Sequence, residues 1–293
     1  MDTWILQMNY PLVTVIQDRE RHDTLCVRQE RYLTDPNATD PENYESPYNY
    51  SWTIPLTFSS SQTLKFNHTK TDVYWLDKDL ESAHFTLGDN ELPRTDGWIL
   101  ANVRQYGYYR VNYELSNWDA LIRQLMEDYQ VIHVINRAQI IDDAWALAES
   151  GHLPIRYALR TLKFINRDTA YVVWSTAEIQ IERLGKLLSE TPAYGAFKSF
   201  MKYKLAAPLE VLGMSNAGSS HTDIRAREIV VKLACVFGMR ECVERAQEQF
   251  REWVADPGHN PIDIELRKTF YCAAIKEGGW EEWRFLLKVG DLM

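Results

Sequence analysis

The side chains best able to do metal chemistry in this chain are seven histidines: His22, His68, His84, His133, His152, His221 and His259. A zinc peptidase needs two imidazoles one helical turn apart with a carboxylate base between them, the H-E-x-x-H arrangement. No two of these histidines lie three to five residues apart, so a zinc site here would need distant partners. The G-x-S-x-G, P-loop and G-x-G-x-x-G patterns are absent as well. Acyl-transfer, nucleotide and dinucleotide chemistry therefore lack their usual carriers.

Asp142 and Asp143 can be read as an acid/base pair. Neighbouring residues on a helix diverge by about 100°, which argues against both aiming at one atom. The competing reading has them hydrogen-bond or salt-bridge to a loop. Tyr106, Tyr108, Tyr109 and Tyr113 surround Arg110 and could form an aromatic platform for a ligand. Strand alternation splits them between two faces, so packing is the simpler expectation, with Arg110 paired to a carboxylate. Cys235 and Cys242 flank Gly238 at an expected helix end, where the chain can turn and bring them within bridging range. They can equally be two buried thiols. Cys26 and Cys272 have no evident partners.

Three N-glycosylation sequons, at Asn37, Asn49 and Asn67, stand in polar, turn-rich surroundings and point to a secreted protein. The first residues have no basic region followed by an apolar run, and no stretch of about 18 apolar residues could span a bilayer. Taken without the sequons, these features would read as cytosolic.

The elements that must position these residues change character along the 293-residue chain, which is long enough for two ordinary domains. Hydrophobic residues are 45% and charged residues 25%, the balance of a folded globular protein. Acids outnumber bases 41 to 32 with no clustered Lys or Arg, so nucleic acid is excluded as a partner. Trp52, Ile54, Leu56 and Phe58 alternate with Thr53, Pro55 and Thr57, a strand with one buried face. Pro55 places it at an edge. Further short runs at Leu12–Ile16, Leu25–Tyr32, Val73–Leu76, Ala83–Leu87, Trp98–Val103 and Tyr106–Tyr113 complete an antiparallel β-sandwich. Thr34–Asn49 is a surface loop.

At Ser116 the period becomes helical. Ser116 and Asp119 fit a capping box, followed by Leu121, Ile122, Leu125, Met126 and Tyr129 on one face. Ile140, Ile141, Ala144, Leu147 and Ala148 form a second face, stopped by Gly151. Patterns continue over Ile155–Ile165, Tyr171–Leu188, Tyr194–Leu212, Ile224–Phe237, Cys242–Val254, Ile262–Lys276 and Trp280–Val289. Eight or nine such helices imply stacked antiparallel pairs, an α-α superhelical domain. Ile264, Leu266, Phe270, Ile275, Trp280, Trp283, Phe285, Leu286 and Leu287 are too many apolar residues for a capping pair, so an exposed apolar patch is expected over Ile262–Leu287. The helical pattern runs to Met293 without a cap, the look of a cut chain.

Five segments together carry a resemblance: MDTWILQMNYPLVTV (Met1–Val15), VRQERYL (Val27–Leu33), WTIPLTF (Trp52–Phe58), GWILANVRQYGYYRVNYE (Gly97–Glu114) and NRAQIIDDAWALAESG (Asn136–Gly151). In order and spacing they resemble the gluzincin zinc aminopeptidases, the family of aminopeptidase N, aminopeptidase A and the thyrotropin-releasing-hormone-degrading ectoenzyme. The resemblance implies that residues 1–12 end a catalytic domain and its link. Residues 13–115 would then be the β-sandwich, and 116–293 the first part of a HEAT-like, ERAP1-like C-terminal domain. The zinc and substrate-amine motifs of that family lie upstream of anything matched, so no catalytic or metal residue carries over and zinc belongs to the parent enzyme. The Met-x-x-Trp pattern falls mid-chain in relatives, which reads Met1 as an internal methionine. The resemblance also implies a short Cys235–Cys242 disulfide and makes Cys272 half of a second one, while Cys26 has no counterpart. Implied partners are the parent's catalytic domain, a peptide substrate and a second copy in a homodimer. The implied location is the ectodomain of a type II membrane protein. The alternative is a stand-alone binding or scaffold protein that uses the concave face of the helical domain.

Overall fold

The computed structural model describes residues 1–18, 20–41, 44–67, 72–88, 90–94 and 96–290. His68 and Thr69, which complete the third sequon, lie outside them. Two compact units divide between Phe164 and Ile165. The order of elements, strands and then helices, is the one the sequence patterns give.

The first unit opens with a short helix, α1 (Asp2–Ile5), and eight strands: β1 (Pro11–Gln17), β2 (Thr24–Arg31), β3 (Ile54–Leu56), β4 (Phe58–Ser60), β5 (Tyr74–Leu76), β6 (Ser82–Thr86), β7 (Ile99–Ala101) and β8 (Arg110–Tyr113). The main sheet has the order β6-β2-β1-β8. β1 pairs antiparallel with β2, Val15 opposite Val27, and parallel with β8, Val13 opposite Val111. That parallel pair departs from the wholly antiparallel expectation. It is possible because β8 returns only after a long excursion, where an antiparallel hairpin needs two residues. Leu12 and Val13 point to opposite faces and are both fully buried, so central β1 is covered on both sides.

The run Trp52–Phe58 is two strands rather than one. β3 pairs with β5 and β4 with β7, in separate two-stranded sheets. The break falls at Thr57, whose carbonyl accepts from Asn102 N at 3.0 Å and whose hydroxyl accepts from Val103 N at 2.9 Å. Thr57 thus gives its hydrogen bonds to a loop instead of a ladder. Pro55, opposite Trp75 in the β3–β5 pair, loses nothing by lacking an N–H on the open side.

Three helices close this unit: α2 (Leu115–Asp128), α3 (Val134–Glu149) and α4 (Ile155–Thr161). The capping box expected at Ser116 does not form. α2 starts at Leu115 after Glu114, with no side-chain cap. Asp119 instead accepts hydrogen bonds from Arg160 and Tyr157 of α4. Gly151 does end α3, at φ +80°, with His152 N donating to Leu147 O and Gly151 N to Ala148 O in the pattern of a Schellman turn.

The second unit contains α5 (Tyr171–Leu188), α6 (Tyr194–Leu212), α7 (His221–Val236), α8 (Arg240–Ala255), α9 (Arg267–Glu277) and α10 (Trp280–Gly290). α7 packs against α5, α6, α8 and α9. Its Ala226, Val230, Val231, Leu233 and Ala234 are fully buried, which is why it lacks the clear polar face of α8. At the far end Phe250, Trp253 and Ala274 form a small core joined by Tyr271, Phe285, Leu286 and Val289. The apolar residues expected to be exposed here divide. Ile262, Leu266 and Phe270 are buried, whereas Ile264, Trp280, Trp283 and Leu287 are exposed.

Candidate functional site

On α3, Asn136, Gln139 and Asp143 stand at i, i+3 and i+7, a polar stripe along one face of a buried helix. All three are almost wholly inaccessible, so each polar atom needs a partner. They find partners in the loop between β7 and β8. Asn136 accepts from Arg104 N at 2.9 Å and donates to Asn102 O at 3.2 Å. Asn136 also donates to Gln139 Oε1, and Gln139 donates to Ala101 O and to Asp143 Oδ2, both at 3.3 Å. Asn102 ties the loop to itself: its amide oxygen accepts from Gly107 N, and its amide nitrogen donates to the carbonyls of Gly107 and Tyr109.

Three residues of that loop, Asn102, Arg104 and Gln105, have φ of +58°, +55° and +52°. Asparagine tolerates this left-handed region, but a long side chain there costs of order 1 kcal/mol or more. Such a conformation persists only where the surroundings over-determine it, as the α3 stripe and Asn102 do here. The result is a fixed loop presenting Tyr106 and Tyr108, which are 69% and 73% exposed.

The same stripe anchors Arg110. Arg110 Nη1 donates to Asp142 Oδ2 at 2.6 Å and to Asp143 Oδ1 at 3.1 Å. The two carboxylates thus do meet at one atom, against the expectation from their helical divergence. The long guanidinium stem enters between them, with buried Asp143 on one side and partly exposed Asp142 on the other. Their partner lies on a strand rather than on a loop, and the pairing expected for Arg110 is present. Asp143 also accepts from Val111 N at 3.1 Å. Burial pushes the Asp143 carboxyl up to about 7, with Asp142 adding to the rise and Arg110 opposing it. Burial alone would lower Arg110, but Asp143 and Asp142 hold it above its ordinary value.

Arg110 Nε donates to Tyr10 Oη at 3.1 Å, and its guanidinium lies 5.8 Å from the Tyr10 ring and 5.2 Å from the Tyr32 ring. Tyr10 stacks on Tyr32 at 5.4 Å and meets Tyr108 edge-on at 5.1 Å. Burial raises the Tyr10 hydroxyl's pKa even with Arg110 beside it. Of the four tyrosines around Arg110, Tyr109 and Tyr113 are buried, as packing requires, while Tyr106 and Tyr108 line an open cavity of about 440 Å³ with Tyr10, Gln105 and Asp142. Asn102, Asn136 and Gln139 were not singled out by sequence reasoning. For Asn136 and Gln139 the signal available was their i, i+3, i+7 spacing with Asp143 on α3.

In the second unit, Cys235 and Cys242 are joined by a disulfide with 5.3 Å between their Cα atoms. Between them Gly238, at φ +70°, makes a second Schellman turn: Met239 N donates to Ala234 O and Gly238 N to Cys235 O. Cys26 and Cys272 are free thiols. Cys272 lines a groove of about 500 Å³ among α5, α7 and α9, between Lys268 and Lys276.

Asn37, Asn49 and Asn67 are all exposed. Asn49 is left-handed at φ +49°, and Asn67 Oδ1 accepts from Arg104 Nη1 at 3.0 Å. Among the described residues no group of three or more His, Cys, Asp or Glu is placed to hold a metal ion. No helix among them is long and apolar enough to cross a membrane.

Comparison with known proteins gives these features a context. The family model for the ERAP1-like C-terminal domain matches residues 98–290, a span that includes the strained loop, the α3 stripe and the disulfide. Human (Homo sapiens) aminopeptidase N is 33% identical over 97% of this chain and 28% of its own length. Aminopeptidase Ey of Gallus gallus is 33% identical over 98% of the chain and 28% of its own length. The thyrotropin-releasing hormone-degrading ectoenzyme of Rattus norvegicus is 29% identical over 98% and 27%. The chain thus spans less than a third of the length of these relatives. With two thirds of its residues inside the matched span, the chain belongs to the ERAP1-like C-terminal domain family.

Proposed function

We propose that this chain is the non-catalytic C-terminal region of a zinc-dependent aminopeptidase that removes N-terminal residues from peptides. The observation that carries this reading is the 33% identity to human aminopeptidase N over nearly the whole chain. In this reading the parent's catalytic domain supplies the zinc and the general base. The helical part closes the substrate cleft and contributes to a homodimer. The limits 1–12, 13–115 and 116–293 for catalytic link, β-sandwich and helical domain belong to the same proposal. So does an ectodomain location on a type II membrane parent, with glycans at Asn37, Asn49 and Asn67. The exposure of those three asparagines supports the last point.

The alternative, a stand-alone binding protein, draws support from one feature. The groove among α5, α7 and α9 is large enough for a ligand, and its Lys268 and Lys276 have no acidic partner among the described residues. Sequencing the transcript through the Met1 codon separates the two. An open frame encoding H-E-x-x-H upstream supports the enzyme region, and an in-frame stop directly before Met1 overturns it in favour of the binding protein.

A further inference from the structure

We propose that the cavity between the β7–β8 loop and α3 is a binding site for the basic side chain, arginine or lysine, of a peptide. Tyr10, Tyr106 and Tyr108 line it together with Asp142 and with Arg110, whose charge is already met by Asp142 and Asp143. Aromatic faces attract a guanidinium or ammonium through the ring quadrupole, most strongly where water is partly displaced. The cluster already shows this preference internally, since Arg110 lies over Tyr10 and Tyr32.

Two further observations point outward. Asp142 gives Oδ2 to Arg110, and its Oδ1 has no partner among the described residues. Asp142 and Asp143 both face one guanidinium, so the cavity carries an anionic surplus once the buried Asp143 has lost its proton. The exposed rings of Tyr106 and Tyr108 are also carried on a strained loop, pinned by buried side chains on α3. Apolar surface is ordinarily withdrawn from water, and here backbone strain is accepted to hold it out. A cation bound there would take the ring faces and the Asp142 oxygen together, with no change in the fold.

The test needs no catalytic partner and is independent of the aminopeptidase reading. Amide chemical shifts of the whole chain are followed on titration with Nα-acetyl-arginine amide and with the neutral isostere Nα-acetyl-citrulline amide. Saturable shifts centred on residues 104–110 are expected, with the arginine probe binding at least tenfold more tightly. Asp142→Asn should weaken the arginine probe about tenfold. Tyr106→Ala combined with Tyr108→Ala should abolish its binding, moving amide shifts near Tyr10, whose ring meets Tyr108, and leaving those distant from the cavity unchanged. Equal affinity for the two probes, full affinity in the double variant, or no saturable shift in the wild type would overturn the proposal.

Discussion

Arg110 and Asp143 join a strand to a helix: the guanidinium on β8 donates to the buried carboxylate on α3 at 3.1 Å. Asp143 also accepts from Val111 N and Gln139 Nε2. Asp143→Ala would therefore leave the buried Val111 N without its side-chain acceptor and take one partner each from Arg110 and Gln139, which keep Asp142 and Ala101 O. A loss of roughly 3 kcal/mol is expected from the first unit. Asp143→Asn, which keeps an acceptor for Val111 N, should cost less. Urea unfolding of the two variants checks the order, and equal stabilities would show that the network does not hold the unit together.

The same residue predicts a pH dependence. Asp143 titrates near 7 in the folded chain and near 4 when unfolded, so the folded state binds the proton more tightly. Its contribution is fully present below about pH 4 and is lost as pH rises through about 7. Relative to Asp143→Asn, which cannot titrate, the wild type should lose stability across that window by up to roughly 4 kcal/mol. Unfolding free energies at several pH values test this. A difference that stays flat, or that grows in favour of the wild type as pH rises, contradicts it.

The disulfide bounds a short loop, so its constraint on the unfolded chain is worth about 2 kcal/mol. Reduction should lower the stability of the second unit by that amount in the wild type and have no effect on a Cys235→Ala/Cys242→Ala variant. Peptide mapping without reductant should recover the two cysteines linked. If both are freely alkylated in secreted material, the bond does not form in the native protein.

If, as proposed, zinc and general base come from the parent's catalytic domain, the purified chain should not cleave aminoacyl fluorogenic substrates, with or without added zinc. The measurement that contradicts this is turnover that co-purifies with the chain and disappears on chelation.

How far these features were legible in the sequence depends on the kind of interaction. Periodicity located the strands at Leu12–Ile16 and Leu25–Tyr32 and nearly every helix, because burial of one face imposes it. Gly151 and Gly238 were readable as helix ends because a left-handed turn favours glycine. The break at Thr57 and the idle capping box at Ser116 were not readable, since each depends on a tertiary partner: Asn102 and Val103 for Thr57, Arg160 and Tyr157 for Asp119. The meeting of Asp142 and Asp143 at Arg110 was missed for a related reason. Helical divergence describes Cβ directions, and a long guanidinium stem reaching between two short side chains cancels it.

α10 is the least anchored helix of the second unit. Phe285, Leu286 and Val289 pack on Phe250, Trp253 and Ala274, and this is its main attachment. Trp280, Trp283 and Leu287, at i, i+3 and i+7, form a stripe that is 64%, 44% and 53% exposed. A helix of 11 residues is marginal without tertiary support, and only one of its faces receives any. α3, by contrast, buries Asn136–Ile141 and Asp143–Trp145 within a hydrogen-bonded network. Local opening draws on the segments with few buried contacts, so amides of 280–290 should exchange far faster than those of 136–148. Hydrogen exchange followed by mass spectrometry measures both segments in one experiment. Raising the chain concentration supplies a control: if the Trp280 stripe is an association surface, protection of 280–290 should grow with concentration while that of 136–148 stays fixed. Equal protection of the two segments in a dilute, monodisperse sample would show that α10 is held by more than the contacts described.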